Sequence, residues 1–235
     1  MDLLKFKSIT TIAILFLLFP VFTASAQLGG EILTDIQGDP YFQGTQKDTK
    51  GSPILYNGWM AGNITNKHGT VYEDREVRFD TYKHDLHLNK EQGYLILNTK
   101  ELRKVEIPSL DLTFKNGYQS KENNIKKNQF VEVLHSGSVE LIIHHYTKFI
   151  ESRSTNPITG DDTDKYITQQ DYYLIDSNGA YHEVKKLKDK HLLKNIDKEA
   201  AKKLKSYADS NDLSFKEKSD VKEIFAHYET IGDYN

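Results

Sequence analysis

The sequence from Ile54 to Lys185 is a succession of short apolar and aromatic runs, and this pattern constrains the fold more than any other feature. Val, Ile, Tyr, Phe and Thr dominate the runs, and Gly, Asn, Asp and Lys separate them, as in β-strands joined by tight turns. Leu86 and Leu88 alternate with polar neighbours, which is the period of a strand with one buried face. Residues 53–186 are therefore predicted to form a β-rich domain.

Turn signals within this domain predict hairpins. The strongest is Ser177-Asn178-Gly179, which separates the runs Tyr166–Ile175 and Ala180–Val184, because Asn-Gly suits the positive φ angles of a two-residue hairpin turn. The run from Ser138 to Ile150 is more continuously apolar than the others, which indicates a strand covered on both faces. The prediction is an antiparallel body of meanders and hairpins, either a curved sheet or a partial barrel.

Residues 187–231 are predicted to form two or three short helices that pack on the β-rich domain. Pro and Gly nearly vanish after Val184, and Asp189 and Asp197 are candidate N-caps. The last helix is expected to begin at Ser214 or at Ser219. Its residues at i, i+3, i+4 and i+7 form one apolar stripe, made of Val221, Ile224, Phe225 and Tyr228. The fold class is therefore predicted to be α+β.

The N-terminus has the three parts of a secretory signal peptide. Lys5 and Lys7 give a positive start, residues 9–22 carry no charge and are mostly apolar, and Ala24-Ser25-Ala26 is a small-x-small cleavage site. The apolar run is shorter than the roughly 20 residues that a spanning helix needs. Residues 1–26 are therefore predicted to be a cleaved signal.

The exported chain is predicted to be soluble, in the periplasm rather than outside the cell. Residues 27–52 form an extended lead-in rich in polar residues and Gly, and no second apolar run approaches membrane length. The chain has no cysteine, so disulfides and a cysteine-linked lipid are excluded. Its formal net charge of −3 gives no electrostatic reason to expect nucleic acid or an anionic membrane as a partner.

Several short motifs resemble a group of uncharacterised exported proteins from Bacteroidetes. The resemblance spans residues 51–231, and its motifs are Gly58-Trp59-Met60-x-Gly62, Gly69-Thr70-Val71-Tyr72, Tyr172-Tyr173-Leu174 and Ile224-Phe225-x-x-Tyr228. It implies an exported protein with a β body and a helical C-terminal segment. It implies no activity, cofactor or catalytic residue.

The densest group of candidate metal ligands is His135, His144 and His145, on two strands that are expected to be neighbours. A zinc or copper site needs three or four ligands that converge on one point. Adjacent residues of a strand point to opposite faces, so His144 and His145 do not easily join one site. Half-buried strand histidines explain the pattern equally.

Other polar and aromatic groups have weaker signals. His84 and His87 lie close to acidic residues in sequence, and Asp161, Asp162 and Asp164 share a loop that suits calcium but lacks the EF-hand spacing. Neither a Gly-x-Ser-x-Gly motif nor a Gly-rich phosphate loop is present. One set of aromatic residues forms either a stacking platform or cross-strand pairs, namely Trp59, Tyr166, Tyr172, Tyr173 and Tyr181.

Three hypotheses for function follow. The preferred one is a non-enzymatic binding or scaffolding module of the cell envelope, because export and a β-plus-helix layout come without a catalytic constellation. The second is a carrier that holds an apolar ligand between the sheet and the helices. The third is a metal-dependent hydrolase that uses the strand histidines, and no cofactor is expected under the first two hypotheses.

Overall fold

A computed structural model describes residues 49–151 and 163–231, so the predicted signal peptide, most of the predicted lead-in, and Asp161 and Asp162 lie outside the described residues. The architecture is α+β, as predicted. The described residues form an eleven-stranded, mostly antiparallel sheet that does not close, followed by three helices. The strands are β1 Thr49–Lys50, β2 Met60–Asn66, β3 Val71–Asp80, β4 Asp85–Lys90, β5 Gly93–Leu97, β6 Leu102–Ile107, β7 Leu112–Lys115, β8 Val131–Ser136, β9 Glu140–Ile150, β10 Asp164–Ile175 and β11 Tyr181–Val184. The helices are α1 Asp189–Leu192, α2 Lys198–Ser210 and α3 Lys218–Tyr228, and short 3₁₀ turns span Thr99–Glu101, Pro108–Leu110 and Leu193–Asn195.

The sheet curls strongly on itself. Its strand order is β1-β10-β9-β8-β7-β6-β2-β3-β4-β5, and β11 also pairs with β10. Phe79 on β3 and Phe114 on β7 lie 4.2 Å apart, although β6 and β2 separate their strands in the sheet. The end of β3 then meets β9, since the Thr81 and Thr147 hydroxyls are 2.7 Å apart. The result is a curved, open sheet.

Two large cores stabilise the fold. The first lies inside the curl and is built from the inward residues of β2 to β7, among them Ile64, Val77 and Leu86. The second lies between β8–β10 and the helices, where Leu141, Leu204, Phe225 and their neighbours are fully buried. These side chains fill the space between sheet and helices, which argues against the expectation of an apolar ligand held there.

One strand passes through a polar stretch. β3 is continuous from Val71 to Asp80, although the polar residues 73–76 separate its apolar runs. A register shift opposite β2 and a left-handed φ of 52° at Asp74 let the strand pass through its polar centre as a bulge. The extra residue is absorbed locally, so pairing resumes on both sides.

The helix starts are correctly predicted for α2 but not for α3. The Asp197 carboxylate accepts hydrogen bonds from the amides of Glu199 and Ala200, which caps α2 as predicted. Helix α3 begins after Glu217 rather than at Ser214 or Ser219, because the Ser214 hydroxyl accepts from the amide of Lys216 and forms a separate turn. Across the described ranges, no helix is long and apolar enough to cross a membrane.

Candidate functional site

The structure places His135, His144 and His145 with three different partners. The Nε2 atom of His135 donates to Glu229 at 3.0 Å, and Nε2 of His145 donates to Glu132 at 2.7 Å. His144 lies on the opposite face of β9 and stacks on His84. Within residues 49–151 and 163–231, no three His, Asp or Glu side chains converge in a way that would hold a metal ion.

The His84–His144 pair is a buried neutral contact. The ring centroids are 5.7 Å apart and the ring planes differ by 16°, so the nitrogen lone pairs lie in nearly parallel planes rather than aiming at one point. Burial, followed by the charge of His84, lowers the pKa of His144 to about 4. Burial also lowers the pKa of His84. Both rings are therefore uncharged at neutral pH.

A second buried group joins helix α3 to the sheet. Glu132 on β8 is 0% exposed and accepts a hydrogen bond from His145. Lys218 Nζ donates to both carboxylate oxygens of Glu132, each at 2.9 Å. Burial alone would raise the pKa of Glu132, but the bonds from His145 and Lys218 outweigh it and lower that pKa. This group, Glu132 with His145 and Lys218, is called the Glu132 cluster.

The group around Glu229 resembles a catalytic triad in composition but not in order. The Ser138 hydroxyl donates to the Glu229 carboxylate at 3.0 Å, and His135 donates to the same carboxylate oxygen. The carboxylate therefore lies between serine and histidine, whereas nucleophilic catalysis needs the histidine to contact the serine. These bonds fasten the end of α3 to the β8–β9 turn.

A concave site lies elsewhere, on the outer face of β3, β4 and β5. It is a groove of about 570 Å³, within the usual range for small-molecule sites. Its floor is the sheet, and the segment 49–54 crosses over it from β10. The side chains that give the groove its chemistry are Trp59, Arg78, Asp80, Tyr82, Lys83, His87, Asn89, Lys90, Tyr94 and Tyr166. This site is called the β3–β5 groove.

Strand alternation explains why these residues share a face. Val77 and Phe79 of β3 point into the first core, so Arg78 between them points outward. Arg78 pairs with His87 across β3 and β4, and Asn89 pairs with Tyr94 across β4 and β5. Because cross-strand partners lie on the same face, the outward residues of all three strands lie together in the groove.

Four of these side chains form a stacked column. The Arg78 guanidinium carbon lies 4.3 Å from the centroid of the Trp59 ring and 4.6 Å from that of Tyr94. His87 stacks on Tyr94, with centroids 4.4 Å apart and planes 26° apart. The centroids of Trp59 and Tyr94 are themselves only 6.2 Å apart, with planes 53° apart, so the two rings adjoin and the guanidinium packs against both of them in favourable cation–π contacts. We call this group the Arg78 column.

His87 orients the side chain of Arg78 through a hydrogen bond. The Arg78 Nε–H donates to His87 Nδ1 at 3.2 Å, so the proton of the neutral ring is on Nε2. Burial, followed by the charge of Arg78, lowers the pKa of His87 to about 4. His87 is therefore a neutral acceptor at physiological pH. Its Nε2 atom is buried and has no hydrogen-bond partner among the described residues.

The charge of Arg78 has no acidic partner in direct contact, and Glu76, two residues earlier on the same face of β3, accepts from the Asn89 side chain instead. Among residues 49–151 and 163–231, no carboxylate lies within ion-pair distance of its guanidinium. Asp80 is the one carboxylate that lines the groove, and its Oδ1 accepts from the amides of Tyr82 and Lys83. Asp80 therefore caps the β3–β4 turn. The two terminal nitrogens of Arg78 form no hydrogen bond within the described residues.

The far end of the groove carries a second aromatic group. Tyr82 is 44% exposed and packs edge-on against Tyr166 at 5.6 Å. Gly51 has a φ of 81°, and a Cβ atom at this position would collide with the carbonyl oxygen of Tyr166. Glycine thus lets the crossing segment lie directly on β10, which forms one wall of the groove.

The aromatic candidates from the sequence divide between two locations. Trp59 and Tyr166 line the groove, whereas Tyr173 and Tyr181 pack together in a small third core and Tyr172 packs against the second core. Sequence reasoning missed Arg78. The available signal was its outward position in β3 opposite His87, but finding it requires the register of the β3–β4 hairpin.

Comparison with known proteins gives no assignment. No protein-family model matches the chain, and neither the curated proteins nor the solved structures contain a significant match. The chemistry of the β3–β5 groove is therefore the guide to function.

Proposed function

We propose that this chain is an exported, non-enzymatic binding module that captures an acidic oligosaccharide in the β3–β5 groove. The observation that carries the proposal is the Arg78 column. It holds a guanidinium against two adjoining aromatic rings, fixes it through a neutral histidine, and leaves it without a carboxylate partner in the described chain. Export rests on the signal-like sequence of residues 1–26.

The charge of the groove favours an anionic ligand. A guanidinium presents a planar fork of donors that matches a carboxylate in two parallel hydrogen bonds. Lys83 and Lys90 add positive charge to the lining, against the single carboxylate of Asp80. Because Trp59 and Tyr94 shield part of the Arg78 guanidinium from water, its interaction with an anion is less screened than at an open surface.

The other lining residues favour a sugar ring next to that anion. Trp59 and Tyr94 at one end and Tyr82 and Tyr166 at the other offer flat aromatic surfaces with polar tips, and a pyranose presents an apolar C–H face to such a surface. Asn89 and Ser52 add polar side chains to the lining, and the Asn89 amide already donates to Glu76 at 2.6 Å. A short uronic-acid oligomer combines carboxylates, hydroxyls and C–H faces in one ligand.

The same lining favours binding over catalysis. Glycoside hydrolysis typically needs two carboxyl groups that flank the bond to be broken. Asp80 is engaged in a turn, and Asp85 faces a separate small cavity with Phe79 and His145 rather than the groove. His87 is buried and uncharged at neutral pH, so it supports Arg78 and does not reach a ligand as an acid.

The test is a titration with trigalacturonate, followed by tryptophan fluorescence. Trp59 is the only tryptophan of the chain, so its emission reports on the groove directly. We expect saturable binding of trigalacturonate and at least tenfold weaker binding of its methyl ester, which keeps the sugar rings but loses the charges. Inorganic phosphate and a nucleotide are the competing anions.

Variants make the test specific. Arg78→Gln is expected to weaken trigalacturonate binding roughly tenfold to a hundredfold, the usual range for a charged hydrogen-bond pair. Arg103→Gln removes the same charge from an exposed position on β6 and is expected to bind normally. Equal affinities for the acid and its ester, or unchanged binding by Arg78→Gln, would contradict the proposal. Binding of phosphate or of the nucleotide more tightly than trigalacturonate would also contradict it, because the preferred ligand would then be a phosphate compound and not a uronic acid.

A further inference from the structure

The charge of the chain is unevenly distributed. Residues 185–205 contain nine lysines against the three carboxylates of Asp189, Asp197 and Glu199, a formal charge of +6. The chain as a whole has a formal charge of −3, so the remaining residues together carry −9. An average over the whole sequence hides a strongly basic segment.

The fold gathers four of these lysines around one side chain. Lys185, Lys186, Lys190 and Lys194 surround His191, and their side chains are exposed. Partial desolvation, followed by the positive charges of these four residues, lowers the pKa of His191. We call this patch the lysine surface. It comprises the end of β11, helix α1 and the 3₁₀ turn that follows.

Little negative charge offsets the lysine surface. Asp189 forms an ion pair with Lys205 at 3.4 Å, and the Asp197 carboxylate is used as the cap of α2. Within the described part of the chain, Lys185, Lys186 and Lys194 form no ion pair. The patch therefore presents its positive charge to whatever lies against it.

The shape of the patch decides which polyanion fits it. Leu187, Leu192 and Ile196 of this segment are buried in the second core and Leu193 packs against it, so no fully exposed apolar side chain is left to enter a lipid tail region. No aromatic residue occurs between Lys185 and Lys205. A surface of exposed amines without a groove or stacking side chains matches a broad array of anionic groups rather than one shaped ligand.

We infer that the lysine surface docks the protein electrostatically on the headgroups of an anionic lipid bilayer. Each lysine contributes through proximity to the negative surface potential, without insertion. Such docking weakens steeply with salt, because the Debye length falls as ionic strength rises. This surface is separate from the β3–β5 groove, so a membrane-docked molecule is free to use both.

The test is co-sedimentation of the chain with vesicles of phosphatidylglycerol and phosphatidylcholine, compared with pure phosphatidylcholine. We expect binding only to the anionic vesicles, and at least tenfold weaker binding when the salt is raised from low to physiological concentration. The fourfold variant K185Q/K186Q/K190Q/K194Q is expected to bind anionic vesicles at least tenfold more weakly than wild type. Thermal unfolding of the variant shows whether it remains folded.

Two controls separate the explanations. The variant K100Q/K121Q/K127Q/K216Q removes the same charge from exposed lysines in other elements and is expected to keep vesicle binding. Equal loss in both fourfold variants would overturn the inference, because total charge and not the lysine surface would then control binding. Binding to soluble polygalacturonate but not to vesicles would also overturn it. Arg78→Gln is expected to bind vesicles normally, so a failure of the groove proposal is distinguishable.

Discussion

The Glu132 cluster and the Arg78 column are both built from a histidine beside a charged residue on neighbouring strands, yet they handle that charge in opposite ways. Glu132 is fully buried and meets Lys218 and His145 within 2.9 Å. Arg78 meets the neutral nitrogen of His87 and two aromatic faces. One charge is satisfied inside the protein, and the other keeps its terminal donors for a ligand.

The difference shows how a charged residue that stabilises the fold can be distinguished from one that is available to bind a ligand. Lys218 belongs to α3 and Glu132 to β8, so their bond fixes the position of a helix on the sheet. Removing one member would leave the other buried without a partner, which is costly. The guanidinium of Arg78 links only adjacent outward side chains, so it contributes little to tertiary structure. Under the proposed function, the guanidinium of Arg78 serves to bind the anionic ligand.

The largest expected effect follows from this contrast and concerns stability. Glu132→Gln is expected to lower the free energy of unfolding by roughly 3 kcal/mol, because it leaves Lys218 and His145 without their carboxylate. Arg78→Gln is expected to cost less than about 1 kcal/mol, as substitutions outside the core usually do. Urea unfolding of both variants measures the two values. The reverse order of stabilities would break the comparison.

A smaller effect concerns two lysines of the same helix. Lys218 bonds to the buried Glu132, whereas Lys222 bonds at 2.7 Å to Asp111, whose side chain is 83% exposed. Double-mutant cycles are expected to give a coupling of about 1–3 kcal/mol for the first pair and of less than about 1 kcal/mol for the second. Equal couplings would show that burial of Glu132 adds nothing to the bond.

Acidification is expected to destabilise the folded protein. The pKa of both His87 and His144 is lowered from 6.5 to about 4, so between these values the unfolded chain binds more protons than the folded one. Stability is therefore complete above pH 6.5 and falls as the pH drops toward 4. Urea midpoints at several pH values in this window measure the slope.

Single histidine variants sharpen the pH prediction. His144→Gln removes one of the two histidines whose pKa is lowered to about 4 and is expected to flatten the dependence of stability on pH below 6.5. His68→Gln changes an exposed histidine in the β2–β3 turn and is expected to leave the dependence unchanged. A slope that is the same in wild type and His144→Gln would contradict the neutral, buried state of this ring.

The smallest effect is expected at the wall of the groove. Gly51→Ala and Gly69→Ala both place a side chain at a positive φ, but only the first meets the carbonyl oxygen of Tyr166. Gly69→Ala is expected to lose about 1 kcal/mol of stability from the positive φ alone, and Gly51→Ala is expected to lose more, because the collision with the Tyr166 backbone adds to it. Only Gly51→Ala is expected to shift the crossing segment and weaken trigalacturonate binding a fewfold. Equal binding by the two variants would show that this wall does not contact the ligand.

Local patterns were enough to predict most of the architecture. Alternation identified the buried face of β4, the Asn178-Gly179 turn identified the β10–β11 hairpin, and Asp197 identified the start of α2. Each of these signals lies within a few residues of the feature it predicts. The start of α3 was missed because Ser214 forms its own turn with Lys216.

The candidate site was much less predictable. Its central contacts join Trp59, Arg78, His87 and Tyr94, which lie on separate segments and meet only through the register of β3, β4 and β5. The histidines of β8 and β9 gave a stronger sequence signal, but their partners Glu132 and Glu229 are charged residues that no spacing rule connects to them. Pairing across the fold, rather than residue type, separates these two groups.

The central claim is that the fork of Arg78, and not merely its charge, receives the ligand. The direct test is a trigalacturonate titration of Arg78→Lys beside wild type, again followed by the fluorescence of Trp59. Lysine keeps the positive charge but has neither the planar fork nor the stacking face. We expect about tenfold weaker binding, equivalent to about 1.4 kcal/mol. Binding of Arg78→Lys with the affinity of wild type would contradict the claim.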